Sequence, residues 1–292
     1  MLVAAAMVAF CAVMALVVDA GALYLEKNHL GQGADAAVLA AAQELPRDRW
    51  SALGKAYSYA YQNGVQPSQV MFDISDDKRE ITAKADASVD YLFARLFGII
   101  NGQTSAEAAV RVSNVSAVKG VAPLGIIEDN FQYGMVYTLK EGGGAGETGW
   151  YGALALDGNG ASIYEQNLKY GCPITIHIND EVETQGGNIS GSTRDGIAYL
   201  MNSCHHQPRC SPSNFDPDCP RILIVPIIRP LIYSNGHLQE VLIVGFGAFL
   251  VNSFSGTGNE SVIEGSFLQY VVDGETAEDA PDYGLYTARL IN

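Results

Sequence analysis

Cysteine and histidine are the residues of this chain whose types and spacing most readily suggest chemistry. The chain has five cysteines, and four of them lie in its C-terminal part: Cys172, Cys204, Cys210 and Cys219. In an exported domain, an even set predicts two disulfide bonds, with three possible pairings. The alternative is a metal site, because the segment "CHHQPRC" adds His205 and His206. The gaps between Cys204, Cys210 and Cys219 do not match the short, paired spacing of zinc ligands, so the sequence favours disulfides.

Oxygen-bearing side chains offer a weaker candidate site. The segment "DGNG" could present Asp157 and Asn159 to Ca²⁺. Calcium usually takes six or more oxygen ligands, and the usual continuation of a calcium loop is missing, so an ordinary turn is the competing interpretation. No nucleophile elbow and no H-E-x-x-H motif occurs in the sequence. The sequence therefore predicts neither an enzyme nor a bound cofactor.

The charge balance excludes one class of partner. The chain has 32 acidic and 17 basic residues, a formal net charge of -15. A nucleic-acid-binding protein needs a basic face to neutralise phosphates, so no nucleic acid is expected as a partner.

The N-terminal segment is uncharged for 18 residues and then reaches Asp19. As a helix, residues 1–18 would span about 27 Å and residues 1–25 about 37 Å, enough to cross a bilayer. No Lys or Arg precedes the run, whereas a secretory signal begins with basic residues. The missing basic residues predict that a leader has been removed. Apolar residues then recur at helical spacing up to Leu45, before Pro46. One helix of about 44 residues is therefore expected.

This helix is predicted to anchor the chain in the membrane and then to pack against copies of itself. The residues expected to mediate assembly are Val3, Phe10, Met14, Val17, Asp19, Leu23 and Tyr24. Two interpretations of Asp19 remain open. Its carboxylate could mark the membrane–water boundary, or it could pair with a positive group of a neighbouring copy, such as the α-amino group of Met1.

The rest of the chain predicts two further domains and an α+β fold. Residues 1–45 would be the apolar helix and residues 46–120 a small α+β domain, in which residues 89–100 have helical periodicity. Residues 121–292 would form a mostly antiparallel β domain on the outside, with a hairpin turn at Asn235–Gly236. One helix is expected in it, "STRDGIAYLMNS", with Ser192 or Thr193 as its N-cap.

The segment "ALVVDAGALYLEKNHLGQGADAAVLAAAQELP" resembles the N-terminal segment of TadE/TadG-like proteins of the tight-adherence (Flp) pilus-assembly group. The resemblance lies in an apolar helix, then Val18–Asp19–x–Gly21, Tyr24 and Leu25, and an Ala-rich stretch. Later segments, such as "GWYGALALDGNGASIYEQNLKYG" and "VGFGAFLV", also resemble a subset of this group. The resemblance implies a pilin-like protein whose leader is cut by a prepilin peptidase. Many pilins carry a Glu near the mature N-terminus, but here the nearest acid is Asp19.

These observations predict a structural pilin-like subunit that polymerises through its apolar helix into an extracellular filament. The alternative is a membrane-anchored TadE/TadG-like surface or pilus-assembly protein that binds a partner without polymerising. The expected partners are copies of the same chain, the membrane before assembly, and the pilus-assembly machinery. The expected location is the cell surface, after insertion in the cytoplasmic membrane.

Overall fold

The computed structural model describes residues 2–141, 150–187, 189–256 and 261–291. The chain divides into two compact units, one of residues 1–112 with 288–292 and the other of residues 113–287. A long N-terminal helix, short helices and mixed β-sheets give the α+β fold class that the sequence predicts.

The first unit contains two helices, a 3₁₀ turn and an antiparallel sheet. Its elements are α1 (Leu2–Ala42), α2 (Arg49–Gln62), β1 (Val70–Ile74), β2 (Glu80–Asp90), the 3₁₀ turn (Ala94–Phe97) and the first part of β3 (Asn101–Val118). Strand β2 is central, because it pairs antiparallel with β1 on one side and with β3 on the other. Burial alternates along β1, so one face of this sheet is packed and the other is exposed.

The second half of α1 packs against α2 and β2. Its buried residues recur at helical spacing: Leu30, Ala34, Ala37, Val38 and Ala41. The facing side of α2 buries Ala52, Ala56 and Ala60, each four residues apart. Small side chains on both helices allow their axes to come close. Gly33 lets the segment that follows α2 pack closely on α1, since a Cβ there would lie 2.4 Å from Cγ2 of Val65.

The connection between α1 and α2 is held by two carboxylates. Asp48 is the N-cap of α2 and accepts a hydrogen bond from the N–H of Trp50 at 2.9 Å. The buried Glu44 carboxylate forms ion pairs with Arg47 and with Nζ of Lys55, the latter at 2.5 Å. The cap fixes where α2 begins, and the Lys55 ion pair joins α2 directly to the connection.

The prediction of a helix over residues 89–100 is wrong. Strand β2 continues to Asp90, which pairs with Asn101 of β3, so residues 91–100 connect two strands of a hairpin. Only the 3₁₀ turn is helical there, and Gly98 ends it with a φ of 84°. Despite its helical periodicity, this segment does not form a longer helix, because both of its ends are held by the hydrogen bonds between β2 and β3.

The second unit is built on a mixed sheet with two helices. Its elements are the end of β3, β4 (Leu124–Ile127), β5 (Val136–Glu141), β6 (Trp150–Ala153), α3 (Ala161–Tyr170), β7 (Ile176–His177), β8 (Glu181–Glu183), α4 (Ser190–Ser203), β9 (Ile222–Ser234), β10 (His237–Ser255), β11 (Val262–Leu268), β12 (Tyr270–Val271), β13 (Glu275–Thr276) and β14 (Leu285–Ile291), the last of which runs beyond the unit. The strand order is β11-β5-β6-β4-β9-β10-β8. Strand β11 also pairs with β10, so six of these strands close on themselves. Most pairs are antiparallel, but β4–β9 and β5–β6 are parallel.

Local turn chemistry predicts the β9–β10 hairpin correctly. Ser234 pairs with His237, and both turn residues have positive φ, 52° at Asn235 and 78° at Gly236. Such angles define a type I′ turn, which matches the twist of the two strands.

The helix predictions in this unit are only partly correct. Helix α3 is absent from the prediction. Helix α4 is present, but neither Ser192 nor Thr193 is its N-cap, a position that Ile189 occupies without a side-chain cap. The hydroxyl of Thr193 is instead buried, where it donates to the carbonyl of Ile189 at 3.2 Å and lies 3.0 Å from the hydroxyl of Tyr164 on α3. The Thr193 hydroxyl therefore contributes to the contact between α3 and α4.

A membrane span was also expected from the sequence. Within the described ranges, no helix combines the length and the apolar character needed to cross a membrane.

Removal of the Glu44 charge should destabilise the protein in a pH-dependent way. Burial alone would raise the pKa of this carboxyl, but its hydrogen bonds and ion pairs with Lys55 and Arg47 hold the pKa below its ordinary value of 4.5. The stabilisation is therefore complete above that value and is lost as the pH falls through the lower pKa of the folded protein. We expect Glu44→Gln to cost about 1–2 kcal/mol at pH 7 and less in acid, measured by urea unfolding at several pH values.

The control for this variant is Glu107→Gln in the same unit. Glu107 pairs with Lys84 at 3.2 Å, but both side chains are about two-thirds exposed. An exposed pair of this kind should change the free energy of unfolding by less than about 1 kcal/mol. Equal losses in the two variants would contradict a special role for Glu44.

Candidate functional site

The N-terminal half of α1 exposes large apolar side chains on every side that the structure describes. More than half of each of the following side chains is exposed: Val3, Met7, Phe10, Val13, Met14, Leu16 and Val17. Soluble monomers rarely leave a contiguous apolar surface of this kind uncovered. The second half of the same helix is packed on α2 and β2, so the two halves of α1 face different environments.

The connection between β2 and β3 adds a second set of exposed apolar residues. Five of its side chains are more than half exposed: Leu92, Leu96, Phe97, Ile99 and Ile100. The 3₁₀ turn in this connection contacts α1. We call these five residues, together with the exposed half of α1, the apolar surface. The apolar residues of this segment are visible in the sequence, but their helical periodicity predicted a helix and not an exposed connection between strands.

Asp19 joins the two parts of the apolar surface. Its side chain is 4% exposed, and its carboxylate accepts hydrogen bonds from three successive backbone N–H groups. These come from Leu92 at 2.8 Å, Phe93 at 3.1 Å and Ala94 at 2.7 Å. Burial alone would raise the pKa of the Asp19 carboxyl, but these N–H groups together hold it below its ordinary value. The carboxylate thus caps the start of the 3₁₀ turn and holds it on α1.

The structure places the residues predicted to mediate assembly as follows. Val3, Phe10, Met14, Val17 and Tyr24 are exposed. Leu23 is half-buried and lies beside Gly102, where a Cβ would be 3.1 Å from its Cδ1.

The two interpretations of Asp19 can be compared with its contacts. Met1 lies outside the described residues, so a pairing of Asp19 with that amino group stays a prediction. The partners that the structure gives to Asp19 belong to its own chain and lie 73–75 residues further on.

The four C-terminal cysteines are free thiols, which corrects the prediction of two disulfides. Three of them converge on one histidine: the donor atoms of Cys204, His206, Cys210 and Cys219 all lie within 4.8 Å of one another. The Sγ atoms of Cys204 and Cys219 are 3.6 Å apart, whereas a disulfide bond is about 2.0 Å long. Cys172 is buried but outside this group. The even number of cysteines was misleading, because three of the thiols meet at one point.

A folded loop brings these side chains together. Cys204 follows directly after α4. Residues 211–214 then form a tight turn, with backbone hydrogen bonds of 2.9 and 3.1 Å between Ser211 and Asn214. The N–H of Cys219 donates to the carbonyl of Asp216 at 3.0 Å. Gaps that look irregular along the sequence are therefore closed by turns.

The thiols of this group differ in their electrostatic environment. Burial would raise the pKa of Cys204, but the Arg221 guanidinium and the N–H of His206 lower it below its ordinary value. Burial raises the pKa of Cys219, and the nearby Cys210 and Cys204 raise it further. Cys204 thus ionises more easily than Cys219.

The weak calcium candidates interact with other side chains. The carboxylate of Asp157 accepts a hydrogen bond from Asn167 on α3. The amide of Asn159 lies 3.4 Å from the carboxylate of Glu183. Across the described side chains, the group that could hold a metal contains neither Asp157 nor Asn159. Their role as calcium ligands stays a prediction.

Replacement of Asp19 by Ala should release the 3₁₀ turn from α1. Three backbone N–H groups would lose their acceptor, so hydrogen exchange at Leu92, Phe93 and Ala94 should become roughly tenfold faster or more. Hydrogen–deuterium exchange with mass spectrometry would measure this on peptides covering residues 88–100.

Asp90→Ala is the matched control for that experiment. The Asp90 carboxylate is 73% exposed and pairs with Arg95 of the same connection at 3.2 Å, so its loss should leave exchange at residues 92–94 nearly unchanged. Unchanged protection in Asp19→Ala would show that the carboxylate does not hold this turn.

Comparison with known proteins identifies the N-terminal segment. Residues 1–44 match the family model for Flp pilus-assembly TadE/G-like proteins. No curated protein and no solved structure matches the chain. The match ends just beyond α1 and therefore includes the exposed half of that helix and Asp19. The chain thus carries a TadE/G-like Flp pilus-assembly domain at residues 1–44.

Proposed function

We propose that this protein is a structural pilin-like subunit that polymerises through α1 into an extracellular filament. The observation that carries the proposal is the exposed half of α1, where large apolar side chains have no covering within the described chain. Covering such a surface removes apolar area from water and stabilises association by roughly 25 cal/mol per Å² of that area before the costs of binding.

The spacing of the exposed residues suits contact with another helix. Large apolar side chains follow one another at alternating steps of four and three residues: Val3, Met7, Phe10, Met14 and Val17. The same steps continue to Gly21 and the exposed Tyr24. An average step of 3.5 residues keeps these side chains in one line along the helix, which we call the seam and which can stay turned toward a partner helix. A Cβ at Gly21 would have no atom within 4 Å, so a partner could approach closely there.

One partner helix would not cover this surface. Val13, Leu16 and Val18 lie off the seam and are also exposed. Several copies arranged around each α1 would cover both the seam and these residues, as at the centre of a helical filament. Repeated head-to-tail contacts that do not close into a ring generate such filaments.

The TadE/G-like domain supports a role in pilus assembly at the cell envelope. Under this proposal, the partners are further copies of the chain and the assembly machinery that adds them. The non-polymerising alternative, a TadE/G-like protein that binds a different partner through the same helix, makes a different prediction for filament formation.

The test replaces one apolar residue on the seam by a charged residue. Met14→Glu would place a carboxylate in the contact between helices, where it has no water and no assured partner, and should abolish filaments. Negative-stain electron microscopy and pelleting at high speed would measure polymer in the wild-type and variant proteins.

Met71→Glu is the matched control. Met71 is the same residue type, is 69% exposed compared with 54% for Met14, and lies on β1 of the same unit. It should form filaments like the wild type. Wild-type protein that stays non-polymeric and binds a different protein through α1 would favour the alternative. Equal polymer in Met14→Glu and wild type would exclude α1 as the polymer contact.

A further inference from the structure

We propose that Cys204, His206, Cys210 and Cys219 bind one structural Zn²⁺ ion. Three sulfur donors and one imidazole nitrogen are a common ligand set of structural zinc sites. The site belongs to the unit of residues 113–287, and the proposal does not depend on polymerisation.

The distances between the donor atoms fit a tetrahedral ion. With Zn–S of about 2.3 Å and Zn–N of about 2.0 Å, tetrahedral geometry places neighbouring donor atoms about 3.5–3.8 Å apart. The Sγ atoms of Cys204 and Cys219 are 3.6 Å apart. Nδ1 of His206 lies 3.8 Å from Sγ of Cys204 and 3.4 Å from Sγ of Cys210. Three of the six donor pairs therefore have the spacing of a tetrahedral zinc site, and the other three lie within 4.8 Å.

The surroundings of the ligands resemble the outer shell of a metal site. Nε2 of His206 lies 3.7 Å from Oδ2 of Asp216, which leaves Nδ1 turned toward the thiols. Metal-binding histidines commonly have a carboxylate or carbonyl at the nitrogen that does not bind the metal. The backbone N–H of Asp216 also points to Sγ of Cys210 at 3.5 Å, where it can donate to a thiolate. Asp216 thus acts on two of the four ligands.

A buried cation beside the group supports the charge of the proposed site. Arg221 is 1% exposed. It donates to the carbonyl oxygens of Val251 at 3.0 Å and Cys210 at 2.7 Å, which are neutral. Its Nε is buried without a hydrogen-bond acceptor in the described chain. A guanidinium stays charged, so its burial is stabilised by a negative neighbour. Zn²⁺ with three thiolates carries one net negative charge, which Arg221 would balance.

The competing chemistry is a disulfide. A Cys204–Cys219 bond would require the two sulfur atoms to move from 3.6 Å to about 2.0 Å. It would leave the Cys210 thiol next to His206 without a disulfide partner in the group. Zinc uses all four donors, and each thiol would release its proton to solvent on binding.

The first experiment measures metal content and ligand type in the full chain. Protein purified without chelator should contain about one zinc per chain by plasma mass spectrometry. Replacement by Co²⁺ should give the charge-transfer absorption of thiolate–cobalt bonds and the visible bands of tetrahedral cobalt. His206→Ala should lose most of the zinc, whereas His206→Cys, which restores a ligand, should bind zinc and shift the cobalt spectrum.

Two neighbouring residues provide matched controls. His205→Ala removes an exposed histidine next to the ligand, and Cys172→Ser removes a buried cysteine outside the group. Both should keep the zinc content of the wild type. Equal zinc content in His206→Ala and wild type would overturn the proposal. So would zinc-free native protein in which mass spectrometry finds a Cys204–Cys219 disulfide.

Asp216 is expected to act as a positioning residue for His206. Asp216→Ala should weaken zinc binding about 10–100-fold in competition with a chromophoric chelator, and Asp216→Asn, which keeps an acceptor oxygen, should weaken it less. Asp218→Ala, an exposed carboxylate two residues away, is the control and should bind zinc as the wild type does. Equal zinc affinity in Asp216→Ala and Asp218→Ala would remove Asp216 from the site.

Discussion

The hydrogen bonds between the Asp19 carboxylate and three backbone N–H groups are the interaction on which the arrangement of the first unit depends. They lie where the exposed half of α1 meets the half packed on α2 and β2. A single carboxylate accepts the hydrogen bonds of the N–H groups at the start of the 3₁₀ turn and so keeps the β2–β3 connection on the helix. Without it, residues 91–100 would have to find other acceptors for these N–H groups. The apolar residues of that connection would then no longer be held beside α1.

This constraint explains how one helix can serve two purposes. From Leu30 onward, α1 presents small and medium apolar residues at helical spacing to α2 and β2, and its burial there stabilises the folded unit. Before Asp19, the same helix has no layer to pack against within the described chain, and its large side chains stay exposed. A folded unit with an uncovered apolar helix is suited to association. The match of residues 1–44 to TadE/G-like proteins agrees with a role in pilus assembly.

The Cys–His group of the second unit is a different kind of constraint. A loop of 16 residues, from Cys204 to Cys219, follows α4 and precedes β9. It contains turns but no long element, so few backbone ladders hold it. A metal ion with four ligands from this loop would tie it to the core, in which Cys210 and Cys219 are already buried. Cross-linking of this kind stabilises a segment that hydrophobic burial alone would leave loosely held.

The sequence alone determined the features that depend on near neighbours in the chain. The length of α1, the packed face of its second half, the β9–β10 hairpin and the α+β class follow from periodicity and turn chemistry, which act over a few residues. Tertiary structure decided the rest. Asp19 meets its donors 73–75 residues away, residues 91–100 are overridden by the pairing of their flanking strands, and three cysteines meet His206 only after the loop has folded. Spacing along the chain could not show these contacts, because turns and long-range pairing set the distances between those atoms.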